Sequence, residues 1–482
     1  MTTHGTQPKT DTAALEFPAG FVWGAATSAY QIEGATSADG RGVSIWDTFV
    51  RQPGRVLGGD NADIAIDHYY RYRDDVRLMA DLGLTAYRFS VSWPRVQPSG
   101  SGAVNQLGLD FYRRLVDELL AHEIDPWVTL YHWDLPQALE DAGGWPARDT
   151  SKRFAEYAAI VHDALGDRVT NFSTVNEPWC AAFLGYASGE HAPGRREPAA
   201  AIRAAHHLLL AHGLATQAIH AQRPETKVGG SVNLYAVTPE SATEADLEAA
   251  RRIDGLQNRF FLDALLRGGY PADVLADLSA VTPLDFIHEG DAAVIASPID
   301  TLMINYYSRF TVSGKAGGAA SAAAAPTGAG SPWVGSEHVS FVNGGRPVTA
   351  MGWEIDTSGL VEILIRVARE YPAVPFVISE NGAAFDDVLT PDDAVHDVER
   401  SAYIADHLRA CHEAIEAGVP LRGYFAWSLT DNFEWAWGYG KRFGLVYVDY
   451  ATQRRLLKDS AISYAETIRH GGLNGRDGHA GH

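Results

Sequence analysis

Two short stretches end in side chains that can move protons or attack carbon. Phe376-Val377-Ile378-Ser379-Glu380-Asn381-Gly382 closes an apolar run with a carboxylate, an amide and a glycine. Asn171-Phe172-Ser173-Thr174-Val175-Asn176-Glu177-Pro178 ends in the same pair of groups and is stopped by proline. Runs this short and β-branched read as strands buried on both faces. Each Glu then stands at the C-terminal end of a strand, where α/β sheets and barrels meet their ligands. Two such carboxylates in one barrel form a candidate acid–nucleophile pair for glycoside hydrolysis, one protonating the leaving oxygen while the other attacks the sugar carbon. Taken alone, either Glu reads equally well as an ordinary solvated residue after a strand.

The other strand-like runs decide between these readings. Their ends carry Gln31, Arg88, His132, Trp133, Asn305, Tyr307, Trp427, Glu434 and Trp435, which join Asn176, Glu177 and Glu380. A sugar needs a donor or acceptor at each hydroxyl and a flat apolar platform, which amides, imidazole, carboxylates and indoles supply. Metal catalysis is the rival. His206, His207 and His212 cluster on one helix, but mid-helix positions are expected to face the outside of the barrel, and no His-Glu-x-x-His spacing occurs. Schiff-base chemistry would need a lysine at a strand end, and Lys227 opens its strand at the wrong end. No cofactor and no metal are expected.

These side chains need a frame that gathers many strand ends on one face. Strands are expected at 21–28, 86–93, 127–133, 171–176, 227–233, 301–307, 374–380 and 421–428. Helices are expected at 67–82, 107–122, 151–165, 198–222, 244–267, 358–370, 399–416 and 458–469, with Ser151 as an N-cap and Gly83 closing the first helix. Regular alternation means parallel strands covered by helices, and eight repeats is the count of a closed (β/α)8 TIM barrel. A doubly wound open sheet is the runner-up, but no Gly-rich phosphate loop follows the first strand. The surplus length falls after strands, at 31–66, 133–150, 179–197, 308–356 and 429–454, so long loops on the C-terminal face should build a deep pocket. The Ala/Gly-rich segment 314–331 reads as a mobile rim loop or a passive insertion. Residues 1–14 and 471–482 are expected as disordered tails around a catalytic domain at 15–470.

Composition narrows the partners. A formal net charge of -21 over 482 residues argues against nucleic acid, and lysines form no basic stripe. Cys180 and Cys411 suggest no disulfide framework, and Cys180 is expected as a buried, inert thiol. The N-terminus lacks the apolar core of a signal peptide, and no run approaches membrane-span length. A small-molecule substrate in the cytoplasm, with no membrane partner, is the expectation.

Read together, the motifs resemble family 1 of the glycoside hydrolases, the retaining β-glucosidase family, across about 17–469. They are Phe17-Pro18 followed by Phe21 to Gly34, Tyr131-His132-Trp133-Asp134-Leu135-Pro136, Thr174-Val175-Asn176-Glu177-Pro178, Asn305-Tyr306-Tyr307, Ile378-Ser379-Glu380-Asn381-Gly382, and Trp427-Ser428-Leu429-Thr430-Asp431-Asn432-Phe433-Glu434-Trp435. Each shorter motif is weak by itself; all six in order are specific. Ser379 stands where the family usually has threonine, a conservative departure.

The resemblance implies roles. Glu177 resembles the general acid/base and Glu380 the nucleophile, ~5–5.5 Å apart as in retaining enzymes. Arg88 and Tyr307 would keep Glu380 ionised, with Asn305 also supporting it. Asn176 would hold the 2-hydroxyl. Gln31, His132, Glu434 and Trp435 would hold the remaining hydroxyls over a Trp427 platform. Trp353 and Trp179 would line the aglycone side. Trp133 reads as site or as core packing, and Glu33 as structural. The Trp427-Ser428 bond is commonly cis in such enzymes. An intact Glu434 implies an unphosphorylated glycoside, since the 6-phospho-glycosidase branch lacks that carboxylate. Glucose, galactose and fucose configurations stay open, because Gln31 and Glu434 reach the 4-hydroxyl in either epimer. A catalytically silent sugar-binding relative and a glycosyl-transferring enzyme are the alternatives; the first would have lost one of the two glutamates.

Overall fold

The computed structural model describes residues 14–315 and 328–473. The expected tails at 1–13 and 474–482, and most of the expected rim loop, 316–327, lie outside the described residues.

Eight parallel strands close into a barrel. They are β1 Val22–Ala26, β2 Ala86–Ser90, β3 Asp125–Tyr131, β4 Asn171–Asn176, β5 Lys227–Asn233, β6 Thr301–Asn305, β7 Phe376–Asn381 and β8 Leu421–Trp427. Each pairs with its neighbours in sequence, and β8 closes on β1 with Gly423 opposite Val22 and Trp427 opposite Ala26. Closure leaves no strand edge unpaired. Every residue of β2, β4 and β7 is buried, the polar ones included.

The barrel interior is filled by Trp127, Met303, Val377 and Phe425, with Ala26 and Ala86 beside them. Small residues make room for large ones. A Cβ on Gly24 would stand 2.3 Å from the Phe425 ring, and one on Gly229 would stand 2.7 Å from Met303 Sδ. The strands' other faces pack against helices α1 His68–Asp81, α2 Gln106–Ala121, α3 Asp149–Leu165, α4 Pro198–Gln222, α5 Glu244–Asp254, α6 Thr357–Glu370, α7 Val398–Glu416 and α8 Asp459–His470. In α2 the buried Leu109, Tyr112, Leu115, Val116 and Leu119 repeat at helical spacing, which is why that stretch lies on the sheet. Gly83 takes a φ of 73° just past α1, the left-handed closure its position suggested.

Several expectations are corrected. Ser151 lies inside α3, which starts at Asp149, and its Oγ donates to the His207 carbonyl at 2.7 Å instead of capping a helix. An acidic first residue suits the helix N-terminus, so the helix gains two residues. β2 stops at Ser90, because Trp93-Pro94 begins a short helix in which proline loses no hydrogen bond. The expected helix 244–267 is interrupted by a π-helical turn, Gly255–Arg259, before resuming as Phe260–Arg267. His206, His207 and His212 lie outside the barrel but do not reach solvent. All three are buried on α4, and His212 Nδ1 meets Thr174 Oγ1 of β4 at 2.6 Å. Only a narrow stripe of α4, around Arg203 and Gln217, meets solvent, and the histidines lie off it. Residues 471–473 are not a tail: Gly471 closes α8, and Gly472–Leu473 pair antiparallel with Leu15–Glu16 ahead of β1. Among the described residues no helix is long and apolar enough to cross a membrane.

Two further elements stand in the loops. Cys180–Ser188 forms a π-helix directly after Glu177. A three-stranded sheet joins 236–239, 309–313 and 340–342 beside the mouth of the barrel.

Candidate active site

The two glutamates project from adjoining parts of one barrel mouth because their strands are irregular there. The pairing register of β4 with β5 shifts between Ser173 and Asn176. That of β7 with β6 shifts between Ile378 and Glu380. Such bulges re-aim side chains that strict alternation would turn elsewhere. Glu177 then adopts a φ of 46°, as do Trp133 at 77° and Trp435 at 49°. Left-handed backbone at a non-glycine residue is costly and persists where surrounding contacts impose it.

Glu380 is buried and doubly held. Arg88 Nη1 donates to its Oε1 at 2.5 Å, and the Tyr307 hydroxyl donates to Oε2 at 2.8 Å. Burial pushes this carboxyl up from its ordinary range, and the Arg88 guanidinium pulls against that. Glu177 is also buried and has no cation in contact. Asn305 Nδ2 donates to its Oε1 at 2.7 Å. Burial first, and then the charge of Glu380, push Glu177 up to about 7. Asn305 therefore bonds Glu177 directly, and it also helps hold the Glu380 carboxyl down.

A web of amides sets these groups against one another. Arg88 Nη2 donates to Asn176 Oδ1 at 2.6 Å, and Ser231 Oγ donates to the same oxygen at 2.9 Å. With its oxygen so occupied, Asn176 turns its nitrogen toward His132 Nε2 at 3.2 Å. Burial, with the nearby Arg88 charge, holds His132 well below its usual range, so the ring is neutral and can accept there. Ser379 Oγ donates to Asn305 Oδ1 at 2.6 Å, which fixes that amide's nitrogen toward Glu177. The serine hydroxyl thus orients the amide that meets the second carboxylate. Trp133 Nε1 donates to the Asn176 carbonyl at 3.0 Å.

The closed end of the site is aromatic and acidic. Trp427 lies parallel to His132 with ring centroids 5.6 Å apart, and Trp435 packs on Trp133 and Trp46. The Trp427-Ser428 bond is cis. Gly382 lies directly against the Trp427 carbonyl, where a Cβ would come within 1.7 Å of the oxygen. Only glycine allows the strand end after Glu380 to touch the platform strand this closely. Gln31 Nε2 donates to Asn432 Oδ1 at 3.0 Å, to the Phe433 carbonyl at 2.9 Å and to Glu434 Oε2 at 3.4 Å. Burial, then the charge of Glu380, push Glu434 up to about 8.

A cavity of about 520 Å³ joins these groups. His132, Trp133, Glu177, Tyr307, Glu380, Trp427, Glu434 and Trp435 form its inner wall, and Trp179 and Trp353 its outer part. Gln31, Arg88, Asn176 and Asn305 stand one layer behind, fully buried, and orient the wall. Glu33 lies outside, paired with Arg95 at 2.9 Å. Cys180 is buried but belongs to the wall, and receives Asn233 Nδ2 at 3.5 Å.

Sequence reasoning missed several wall residues. Trp333 packs on Trp179 at 4.9 Å, and Phe310 stacks on Tyr235 at 4.1 Å. Glu190 is pushed up to about 7 by burial alone, and His191 sits among Trp46, Trp133 and Trp435. Glu190 and His191 follow the π-helix Cys180–Ser188, Phe310 lies on the small loop sheet, and Trp333 stands in the loop before its last strand, where no strand end marks them.

Chemically, the arrangement offers one carboxylate ionised against a guanidinium and a second that keeps its proton to near neutrality. Such a pair can displace a leaving group at carbon with acid assistance and then use the second group as a base. The family model described as Glycosyl hydrolase family 1 matches residues 13–473. The chain is 51% identical over 461 residues to the thermostable beta-glucosidase B of Thermobispora bispora, with 95% of this chain and 92% of that protein covered. It is 48% identical over 464 residues to a bifunctional beta-D-glucosidase/beta-D-fucosidase of Bifidobacterium breve, with 94% and 98% covered. The crystal structure of the psychrophilic beta-glucosidase BglU from Micrococcus antarcticus superposes with a TM-score of 0.92 at 50% identity, over 95% of this chain and 98% of that one.

Proposed function

The chain belongs to glycosyl hydrolase family 1, and from that premise we propose that it is a retaining, exo-acting β-glucosidase. It releases terminal non-reducing β-D-glucosyl residues from cello-oligosaccharides and from aryl or alkyl β-glucosides. The observation that carries the assignment of roles is the contrast between the two glutamates. Glu380 is held by Arg88 and Tyr307, whereas Glu177 has an amide and no cation.

In the first step a Glu380 oxygen attacks the anomeric carbon. The bond to the aglycone oxygen breaks, and that oxygen takes the Glu177 proton. The products are a glycosyl ester on Glu380 and a free alcohol. Glu380 is then neutral, so the repulsion that kept the Glu177 proton in place is gone. In the second step Glu177 takes a proton from water, the water oxygen attacks the same carbon, and Glu380 leaves as carboxylate. Two inversions return the β-configuration.

Asn176 sits beside Arg88 and His132, where its amide can meet the 2-hydroxyl. Glu434 and Gln31 close the inner end, which suits a chain terminus rather than a chain interior. Glu434 offers a 6-phosphate no cation, and whenever it is ionised it repels one, so the sugar is unphosphorylated. The test is trapping. An aryl 2-deoxy-2-fluoro-β-glucoside, which slows breakdown of the ester, should leave one added fluoroglucosyl mass on the peptide holding Glu380. A label on any other residue would refute the assignment.

A further inference from the structure

Behind the barrel mouth, outside the cavity wall, lies a knot of three carboxylates and three cations: Asp387, Asp397, Asp431, Arg400, Arg442 and Lys458. Its centre is Lys458, which is fully buried. The ammonium donates to Asp387 Oδ2 at 2.5 Å and to Asp431 Oδ1 at 2.7 Å. Those two aspartates belong to different loops. Asp387 follows β7, six residues along the chain from Asn381. It is gripped by both terminal nitrogens of Arg400, whose Nε also donates to the Ala383 carbonyl at 3.3 Å. Asp431 follows β8 and precedes Asn432, which receives Gln31, and Glu434. It also accepts the Gly444 amide at 3.0 Å and Arg442 Nη1 at 2.5 Å.

Resting on the functional reading above, we propose that Lys458 is a positioning residue for hydrolysis. By holding Asp387 and Asp431 on one ammonium, it fixes where the loop carrying Glu434 stands relative to the strand end carrying Glu380. Charge balance needs a third cation here, because Arg400 is shared between Asp387 and Asp397 while Arg442 pairs with Asp431, but it does not require that cation to touch both Asp387 and Asp431. Lysine adds the connection between the two pairs. Its own place is fixed by the first turn of α8 and by its amide, which donates to the Leu445 carbonyl at 3.1 Å. A three-donor ammonium suits a bridge of this kind, since it can serve two carboxylates from one point.

The test compares two substrates, 4-nitrophenyl β-D-glucoside and its 6-deoxy analogue, which lacks the hydroxyl assigned to Glu434. Two full-length variants are used: Lys458→Met, and the charge-balanced Lys458→Met/Asp387→Asn, which leaves no carboxylate short of a cation. Both should lose about 10- to 100-fold in kcat/KM on the glucoside, the scale of a misplacement on the order of 1 Å. Both should lose much less on the 6-deoxy substrate, so the ratio between substrates falls by a factor of about 10, the scale of one lost hydrogen bond to a charged group. An unchanged ratio, with losses equal on both substrates or seen only in Tm, would overturn the proposal and leave the knot a stabilising element. Failure of the charge-balanced variant to fold would overturn it in the same way. A wild-type enzyme that did not prefer the glucoside over its 6-deoxy analogue would instead overturn the reading of Glu434, and this inference with it.

Discussion

Arg88 Nη1 lies 2.5 Å from Glu380 Oε1, and both side chains are buried, with Glu380 meeting only the cavity. A carboxylate so deeply buried stays ionised only with such a partner. Arg88→Met should therefore let Glu380 take up a proton. The acid limb of the kcat/KM profile, set by the free enzyme's nucleophile, should move to higher pH, and activity near neutrality should fall at least about 100-fold. Losing one partner of a buried pair typically costs ~3–5 kcal/mol. An acid limb that stayed in place would show that Arg88 does not control Glu380.

The basic limb should report Glu177, near its value of about 7. The Asn305 amide bonds the ionised form and so lowers the Glu177 pKa. Asn305→Leu should move the basic limb to higher pH, with an apolar side chain of similar size keeping the space filled. A shift to lower pH would contradict the bond's stated direction.

Glu434 gives a stability test with a definite sign. Its carboxyl titrates at about 8 when folded, against ~4.3 when unfolded. A raised carboxyl binds its proton more tightly in the folded state. The stability it contributes is therefore complete below the unfolded value and is lost as pH rises toward 8. Glu434→Gln should melt with the wild type near about pH 4 and progressively above it up to about pH 8, while losing activity. Parallel melting curves across that range would refute the linkage.

The same residue should govern substrate choice. Glu434→Ser should weaken hydrolysis of glucosides far more than of 6-phospho-glucosides, because its hydrogen bonds, worth ~0.5–1.5 kcal/mol each when it is protonated and ~1.5–3 kcal/mol when it is ionised, are lost only to free hydroxyls. Steady-state kinetics on both nitrophenyl substrates would show it. Equal losses would remove Glu434 from the sugar site.

Azide separates the two glutamates by stereochemistry. With Glu177→Ala and an aryl β-glucoside whose phenolate leaves unaided, Glu380 still forms the ester. Azide, which needs no base, should then give the β-glucosyl azide. With Glu380→Ala, azide entering the vacated space should give the α-anomer by one inversion. Proton NMR of the anomeric signal distinguishes them, and identical anomers from both variants would refute the roles.

Most of the frame was legible because strands and helices here obey simple patterns. The β4 run ends where its amide and carboxylate stand, and α4 spans the stretch its alanines and leucines marked. The catalytic-type residues were legible for the same reason: in a parallel barrel, strand ends converge. What the sequence hid depends on contacts across the chain. Ser151 has the right type for a cap, but a buried carbonyl of α4 claims its hydroxyl. The bond from Asn305 to Glu177 is set by Ser379, far away in sequence. Trp333 and Glu190 reach the cavity from irregular segments with no period to read.

The ribbon formed by Leu15–Glu16 and Gly472–Leu473 bears on how this enzyme can be handled. It ties the first and last described segments together ahead of β1, on the side where strands begin, whereas the cavity opens where they end. A tether fused beyond either segment leaves the barrel on the face remote from the catalytic mouth. Anchored to a solid support through that ribbon, the enzyme would present its cavity outward to the bathing solution. With residues 15 and 473 already side by side, a short joint there would also permit circular permutation, with new ends opened in a surface turn on the same rear face.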